Sequence, residues 1–408
     1  MVSDGTPILR RSGDGLGGSV VMCVDLDNLL QELDAGRWVS LQGTPLLLPH
    51  RLLPSGPGVI ISSGGSTGGR RLCLQPCHHL DSSAEATATW LQNLGIDPQQ
   101  TLVLNPLPMH HVSGLMPWWR SRSWGVPHCR LAPELMKQPW ELLRYCRSLP
   151  NWSNREILLS LVPTQLRRLL ADTNGQALLK DMRLIWIGGA SLPQLLAEQA
   201  RAEGILLAPC YGATETAAMV TALSPQRFLV GDRTCGTPLH DVELRLAVHG
   251  ALEIKTARLA IGLWQQEKPD SLQPVADTNG WWRTADRAQI AKGLEICGRL
   301  DTALNSGGET IFPEQLEARL MSAIRQEELP VEAILLAGVD EPEWGQQLVA
   351  FVHSSDPALL KRIASLTTDW PAAEQPRRWV LCPELTQTDA GKWNRQHWQN
   401  WLERLDSA

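Results

Sequence analysis

Short apolar runs, each followed by a turn signal, limit the fold of this sequence more than any other feature. They occupy residues 59–61, 102–104, 157–162 and 184–187, and each leads within three residues to glycine or proline. Between these runs, residues 165–179 show the spacing of apolar side chains that is typical of an amphipathic helix. Strands that alternate with helices predict α/β layers built largely around parallel sheet.

The chain changes character after Gly298. The pattern there predicts a helix at 313–324, strands at 333–339 and 348–353, and a final helix from Asn394. A segment of about 110 residues is large enough to form a separate unit. We therefore expect a first domain at residues 1–297 and a small α+β domain at residues 298–408.

Length and composition are those of a multidomain globular protein. The 408 residues exceed one ordinary compact domain, and 43% of them are hydrophobic while 20% are charged. No apolar run approaches the roughly 18 residues of a membrane span, and the beginning of the sequence does not have the pattern of a signal peptide. A net charge of -6 lacks the basic excess of a nucleic-acid-binding protein. We expect a cytoplasmic protein with neither a membrane nor a nucleic-acid partner.

A glycine-rich segment directly follows the first apolar run. It reads Ser63-Gly64-Gly65-Ser66-Thr67-Gly68-Gly69-Arg70-Arg71. Glycines let a backbone approach a polyphosphate, hydroxyls add donors and arginines add charge, so the segment is typical of a phosphate-binding loop. A flexible surface turn of the same composition is the alternative. A kinase-type P-loop is disfavoured, because arginines replace its Lys and Ser/Thr and because residues 72–74 predict a strand.

Five further segments follow along the chain. They are His110-His111-Val112-Ser113-Gly114, Gly188-Gly189-Ala190-Ser191, Tyr211-Gly212-Ala213-Thr214-Glu215, Arg283-Thr284-Ala285-Asp286 and Gly298-Arg299-Leu300-Asp301. With the glycine-rich loop, this order resembles the adenylate-forming superfamily of acyl-CoA synthetases, luciferases and peptide-synthetase adenylation domains. The resemblance implies a large multi-layer α/β amino-terminal domain, here shortened at its amino terminus, followed by a small mobile α+β carboxy-terminal domain.

The resemblance also implies an ATP site. Its expected members are Ser63, Gly64, Gly65, Ser66, Thr67, Gly68, Arg71, Gly188, Gly189, Ala190, Tyr211, Gly212, Thr214, Asp286 and Arg299. In the family, residues 188–190 pass close to adenine and the position of Asp286 binds the ribose hydroxyls. Glu215 corresponds to a ligand of Mg²⁺, a hard cation that prefers carboxylate oxygen. Together with Glu215, His111 and Lys392 are the expected catalytic residues.

Three positions of the small domain carry further expectations from the family. Lys392 follows Gly391 where the family has a lysine that stabilises charge developing between the attacking carboxylate and the α-phosphate. Asp301 corresponds to the hinge about which the small domain rotates between the two half-reactions. Gly308 corresponds to a loop that lines the coenzyme A tunnel, where glycine allows close approach of the ligand.

Two departures from the family pattern fall in the glycine-rich loop. Gly64 stands where the family usually carries Ser, and Arg70-Arg71 stand where it usually carries Pro-Lys. Arginine keeps the positive charge of the lysine. The departures leave open a nucleotide-binding relative without catalysis, although Glu215 and Lys392 both match catalytic positions.

Two groups of motifs point to one branch of the superfamily: Gly298-Arg299-Leu300-Asp301 followed by Ser306-Gly307-Gly308-Glu309, and His111-Val112-Ser113-Gly114 with Trp119-Arg120 downstream. In these motifs the sequence most resembles the o-succinylbenzoyl-CoA synthetases of menaquinone and phylloquinone biosynthesis. The acid substrate of these enzymes, o-succinylbenzoate, carries a second carboxylate, which needs a cationic partner in a partly dry pocket. Arg120, with Ser113, is our candidate for binding this second carboxylate. The expected reaction is adenylation of the acid by ATP with release of pyrophosphate, followed by acyl transfer to coenzyme A. The alternatives are another aryl or fatty acid:CoA ligase and an adenylation domain that loads a carrier protein. The expected partners are the acid, ATP and coenzyme A. The sequence is compatible with a homo-oligomer.

Overall fold

The protein is described here by a computed structural model covering residues 20–22, 26–41, 48–63, 71–306, 309–341, 345–387 and 393–406. Its described strands form four sheets. Three of these sheets precede residue 300, and the fourth follows it. This arrangement has the mixed α/β architecture that the sequence predicts for the large part of the chain.

A seven-stranded sheet lies at the centre of the large part. In spatial order its strands are Thr237–Pro238, Ala218–Ala222, Leu207–Ala213, Leu184–Ile187, Glu156–Leu161, Thr101–Asn105 and His128–Arg130. The last five strands in this order pair in parallel, and the first two pair antiparallel. Parallel strands have their carboxyl ends at one edge, so the turns after residues 161, 187 and 213 share that edge.

Helices cover both faces of this sheet. One face packs against the helices Pro139–Arg147, Pro163–Leu170, Thr173–Lys180, Gln194–Ala202 and Pro225–Leu229. The other face packs against the helices Cys77–Asn93 and Val112–Trp124 and against the small four-stranded sheet. The buried, branched side chains of the central strands explain why these runs are apolar throughout and do not alternate with polar residues.

A six-stranded sheet contains the predicted strands beside the glycine-rich loop. Its order is Val20–Met22, Trp38–Ser40, Gly58–Ser63, Arg71–Pro76, Gly262–Gln265 and Leu272–Gln273, with the helix Leu26–Asp34 between the first two strands in the chain. Gly58–Ser63 and Arg71–Pro76 pair antiparallel, with Ser63 opposite Arg71. The strand predicted at 72–74 is thus confirmed, and the loop joins two neighbouring strands.

The four-stranded sheet is antiparallel throughout and positions two predicted site residues. Its strands are Glu243–Leu246, Ala251–Lys255, Trp281–Ile290 and Leu294–Arg299. Asp286 lies directly opposite Arg299 in the register. The last strand continues two residues beyond the expected domain boundary at residue 297, because residues 298 and 299 are still paired within this sheet.

The carboxy-terminal part has the α+β arrangement predicted for it. Its strands are Leu304–Ser306, Glu309–Ile311, Ile334–Glu341, Gly345–Val352 and Arg378–Leu381. Helices Pro313–Gln326 and Ala358–Ser365 pack on one face of the sheet, and helix Arg395–Asp406 packs on the other. None of the described helices of the chain is long and apolar enough to cross a membrane.

Two predictions about the elements require correction. The stretch at 165–179 forms two helices, because the Asp172 side chain accepts hydrogen bonds from the N–H groups of Asn174 and Gly175 and starts a second helix. Parallel pairing dominates only the central sheet. The six-stranded sheet contains antiparallel pairs of consecutive strands, which need no crossover helix between them.

Candidate active site

A glycine turn begins the site at the carboxyl edge of the central sheet. Gly188 and Gly189 directly follow the strand Leu184–Ile187, and Gly189 has φ of 81°, a conformation that favours glycine. A Cβ atom on Gly188 would lie 3.1 Å from the Cys210 Sγ atom of the next strand. Gly189 and Ala190 are exposed. The turn therefore presents backbone with little side-chain bulk, as expected for a surface that receives an adenine.

Tyr211, Asp286 and Arg299 meet beside this turn. The Tyr211 hydroxyl donates to Asp286 Oδ2 at 2.5 Å, and Arg299 Nη1 lies 3.5 Å from Asp286 Oδ1. Burial, reinforced by the charge of Asp286, raises the pKa of Tyr211 well above its usual value, so this phenol remains a neutral donor. A carboxylate has about four acceptor positions, so Asp286 retains capacity for further donors such as ribose hydroxyls.

Arg299 connects this carboxylate to the expected hinge. Its Nε and Nη2 atoms donate to the two oxygens of Asp301 at 2.8 and 2.6 Å. Burial opposes the charge of Arg299, but the hydrogen bonds to Asp301 and the charge of Asp286 raise its pKa above the usual value. The paired arginine is therefore a permanent cation between two carboxylates.

Glu215 lies on a short 3-10 helix, Thr214–Thr216, at the end of the strand Leu207–Ala213. The Glu215 side chain is half-buried, and its backbone carbonyl accepts from Ala260 N at 2.7 Å. Gly212 packs against the returning strand, where a Cβ atom would lie 2.1 Å from the Ala218 carbonyl oxygen. A carboxylate at this edge of the sheet has the oxygen ligands that a hard divalent cation prefers.

The hairpin that carries the glycine-rich loop is joined to this segment. Ser63 is buried and its hydroxyl donates to the Arg71 carbonyl at 3.4 Å, across the strand pair. The Gln75 side chain on the same strand donates to the Thr214 carbonyl at 2.8 Å and pairs with the His79 ring at 3.2 Å. Burial lowers the pKa of His79 to about 4, so this ring is neutral at physiological pH.

Arg120 is a buried cation without an anionic partner in the described part of the chain. It lies on the helix Val112–Trp124, is 5% exposed, and its Nε atom has no hydrogen-bond partner. The guanidinium carbon lies 5.2 Å from the centre of the Trp186 ring, two residues before Gly188. Burial lowers the pKa of Arg120 to about 10, so the group remains charged at neutral pH.

The other two residues predicted near the acid substrate, His111 and Ser113, lie at the start of the same helix. His111 is the half-buried N-cap residue, and its ring centre lies 4.3 Å from that of His110. Ser113 is exposed and precedes Arg120 by two helical turns, on the same side of the helix.

Gly188, Tyr211 and Glu215 lie at the carboxyl edge of the central sheet. Asp286 contacts Tyr211 from the four-stranded sheet, where it is paired with Arg299. Seven predicted positions lie outside the described residues: Gly64, Gly65, Ser66, Thr67, Gly68, Gly308 and Lys392. Sequence reasoning missed four residues that support the site: Gln75, His79, Asp241 and Arg258. Arg258 is held by Asp241 at 2.6 Å and donates to the carbonyl of Thr216, the residue after Glu215. Only Gln75 is a polar residue inside an apolar stretch, whereas His79, Asp241 and Arg258 each have another polar residue within two positions and give no local signal.

Comparison with known proteins agrees with this geometry. The family model of AMP-binding enzymes matches residues 10–253. The 2-succinylbenzoate–CoA ligase of Salmonella typhimurium is 32% identical over 343 residues, which cover 83% of this chain and 68% of that protein. The enzyme of the same name from Escherichia coli K12 is 32% identical over 301 residues, covering 73% of this chain and 59% of that protein.

Solved structures give the same relationship. Wild-type E. coli MenE with a bound m-phenylether-linked analogue of OSB-AMS has a TM-score of 0.62 and 27% identity, covering 93% of this chain and 80% of that chain. The o-succinylbenzoate CoA synthetase MenE of Bacillus subtilis, in complex with the acyl-adenylate intermediate OSB-AMP, has a TM-score of 0.69 at 22% identity. That match covers 84% of this chain and 68% of the other, and it supports the fold.

Proposed function

This chain belongs to the AMP-binding enzyme family, and we propose that within the family it acts as a 2-succinylbenzoate–CoA ligase. The main support is Arg120, whose guanidinium is buried beside the strand that leads into the glycine turn. Among the described residues it has no carboxylate partner. An unpaired charge in a dry site is costly unless a ligand supplies the counter-ion. An acid with a second carboxylate supplies it, whereas a simple aryl or fatty acid does not.

The nucleotide is bound by backbone and by one paired carboxylate. The turn at residues 188–190 receives the adenine, and Asp286 accepts hydrogen bonds from the ribose hydroxyls. Tyr211 and Arg299 each hold one oxygen of Asp286, so the carboxylate needs little reorganisation when the nucleotide binds. Ser63 and Arg71, which face each other at the ends of two paired strands, belong to the phosphate side of the site.

Glu215 is the residue that would hold Mg²⁺, and Thr214 lies next to it on the same short helix. A divalent ion there would supply positive charge that offsets the negative charge of the phosphates. The role of this chain is to hold the Glu215 carboxylate at a fixed position relative to the residues that bind the adenosine. His111 and Ser113, at the start of the helix that carries Arg120, belong to the acid side of the site.

The first half-reaction is a displacement at the α-phosphorus. A carboxylate oxygen of the acid forms a bond to this phosphorus while the bond to the bridging oxygen of pyrophosphate breaks, which leaves acyl-AMP. In the second half-reaction the thiolate of coenzyme A bonds to the acyl carbon and AMP departs. Arg120 takes no part in these bonds. It pairs with the carboxylate that is not activated and orients the reacting one.

The small domain supplies the remaining roles in the two half-reactions. Lys392 stabilises the charge in the first half-reaction, and rotation about Asp301 then brings Gly308 to the coenzyme A channel. The division into residues 1–297 and 298–408 is proposed with the hinge just after the strand Leu294–Arg299. The product, an aromatic acyl thioester, suits the menaquinone or phylloquinone pathway in which such ligases act.

The reaction is tested with ATP, Mg²⁺, coenzyme A and o-succinylbenzoate. We expect AMP, pyrophosphate and a free thioester in equal amounts, measured by chromatography. Benzoate and a medium-chain fatty acid serve as comparison substrates and should react far more slowly. Formation of ADP, or equal rates on all three acids, would contradict the proposal. Adenylation that is trapped by hydroxylamine but yields no thioester with free coenzyme A would indicate a carrier-protein acceptor.

A further inference from the structure

Arg258 is the most deeply buried cation of the large part that has no place in the proposed chemistry. The residue is 0% exposed, and all three side-chain nitrogens donate hydrogen bonds. Nε donates to Asp241 Oδ2 at 2.6 Å, Nη1 donates to the Thr216 carbonyl at 2.6 Å, and Nη2 donates to the Met219 carbonyl at 2.8 Å. Asp241 also lies 3.4 Å from Nη2 through its other oxygen. The guanidinium therefore joins one carboxylate to two backbone carbonyls.

The two carbonyls flank a strained turn. Ala217 has φ of 50° and Ala218 has φ of 79°, so two consecutive residues with side chains occupy the left-handed region. Such conformations persist only where the surroundings stabilise them. Here the Ala217 carbonyl accepts from the buried Ser83 hydroxyl at 2.6 Å, and the Ala218 carbonyl accepts from the Thr216 hydroxyl at 2.6 Å. Every carbonyl from 216 to 219 thus has a donor, and Arg258 supplies two of these donors.

This turn begins one residue after Glu215. The segment that carries Arg258 also holds Glu215 directly, because Ala260 N donates to the Glu215 carbonyl at 2.7 Å. The backbone of Glu215 is therefore fixed on one side by Ala260 and on the other by the turn that Arg258 stabilises. A change in the turn would therefore move the Cα atom of Glu215 and with it the carboxylate.

We infer that Arg258, oriented by Asp241, is a positioning residue that sets the Glu215 carboxylate for the metal–nucleotide complex. The inference rests on the proposed role of Glu215, and Arg258 itself contacts neither substrate nor metal. Arginine suits the task because its planar fork makes several bonds in fixed directions, which the single ammonium of lysine cannot reproduce. Removal of such an outer partner commonly costs about 10- to 100-fold in metal affinity.

The test measures nucleotide binding, which needs neither the acid nor coenzyme A. Arg258→Met and Arg258→Lys are compared with the unmodified protein by calorimetric titration with ATP plus Mg²⁺ and with ATP plus EDTA. We expect Arg258→Met to weaken binding of the magnesium complex by about tenfold or more while metal-free binding changes less than about twofold. Arg258→Lys should recover part of the loss. In steady state, KM for MgATP should rise more than KM for the acid.

A matched control separates positioning from general stability. Arg201 also donates to two backbone carbonyls, those of Phe228 and Asp232, but it lies on the helix Gln194–Ala202, away from Glu215. Arg201→Met should lower the melting temperature without a selective loss of magnesium-dependent binding. Equal losses of binding with and without Mg²⁺ in Arg258→Met would overturn the positioning role.

A double-mutant comparison keeps the inference testable if Arg258→Met does not fold. Asp241→Asn leaves Arg258 in place but weakens its anchor, and it should give a smaller selective loss. In a Glu215→Gln background, the substitution at Arg258 or at Asp241 should have little further effect on magnesium dependence, because the carboxylate it positions is gone. Additive losses would refute coupling through Glu215. If the ligase reaction fails while these binding results hold, the proposed substrate is wrong and the positioning role stands.

Discussion

Truncation of Arg120 should separate stability from activity in this protein. The guanidinium is 5% exposed, and burial lowers its pKa to about 10, which reflects the cost of keeping the charge in the free protein. Arg120→Met removes this uncompensated charge and loses a cation–π contact with Trp186 of about 0.5 to 2 kcal/mol. These effects oppose one another, so we expect a melting temperature close to that of the unmodified protein.

The effect on catalysis should be large and selective. Loss of the partner of a buried carboxylate costs about 2 to 5 kcal/mol, which corresponds to about 30-fold to about 5,000-fold in kcat/KM. We expect this loss for o-succinylbenzoate, and little loss or a gain for a monocarboxylic analogue. Arg120→Lys should recover part of the activity, because it restores the charge without the planar fork. Initial rates on both acids with both variants provide the measurement.

Arg122 offers a control on the same helix. It is exposed and lies over the Trp119 ring at 5.6 Å, so Arg122→Met removes a similar cation–π contact from the surface. This variant should leave both acids unaffected. The reasoning is refuted if Arg120→Met reduces kcat/KM equally for the dicarboxylic and the monocarboxylic acid, because Arg120 would then support the fold and not the second carboxylate.

Three further outcomes are expected. Lys392→Ala should reduce adenylation by about 100-fold or more yet still form thioester from supplied acyl-AMP, while Gly308→Leu should impair only the second step; separate assays of the half-reactions decide this. Asp286→Asn should raise KM for ATP about tenfold without changing KM for the acid, and an unchanged KM for ATP would remove Asp286 from the ribose site. Burial lowers the pKa of His79 to about 4, below the usual value near 6.5. Between these two pH values the unfolded chain binds more protons than the folded chain. The free energy of unfolding should therefore fall as the pH falls from about 6.5 to about 4. The full shift corresponds to about 3 kcal/mol, and His79→Gln should flatten the pH dependence of the unfolding free energy relative to the unmodified protein.

The sequence predicts the positions of the strands well, because strand and turn signals depend on neighbouring residues. The apolar run at 184–187 is a strand with those same limits, and the runs at 59–61 and 102–104 are the centres of slightly longer strands. The break at Asp172 was missed, since an N-cap is recognised only when the side chain meets the N–H groups that follow it. The order of the motifs also indicated the family, to which the AMP-binding enzyme model then matched residues 10–253.

Sequence by itself determined the alternation of elements and the family. Tertiary structure alone decided that Tyr211 reaches Asp286, 75 residues later, through contact between two different sheets. It also decided that Arg120 lacks a described carboxylate partner while Arg258 has Asp241 and two carbonyls. In sequence nothing distinguishes the two arginines: Arg120 stands between Trp119 and Ser121, and Arg258 stands between Ala257 and Leu259. The physical reason is that periodicity and turn propensity are local properties of the chain, whereas desolvation and the pairing of a charge depend on atoms that distant segments bring to it.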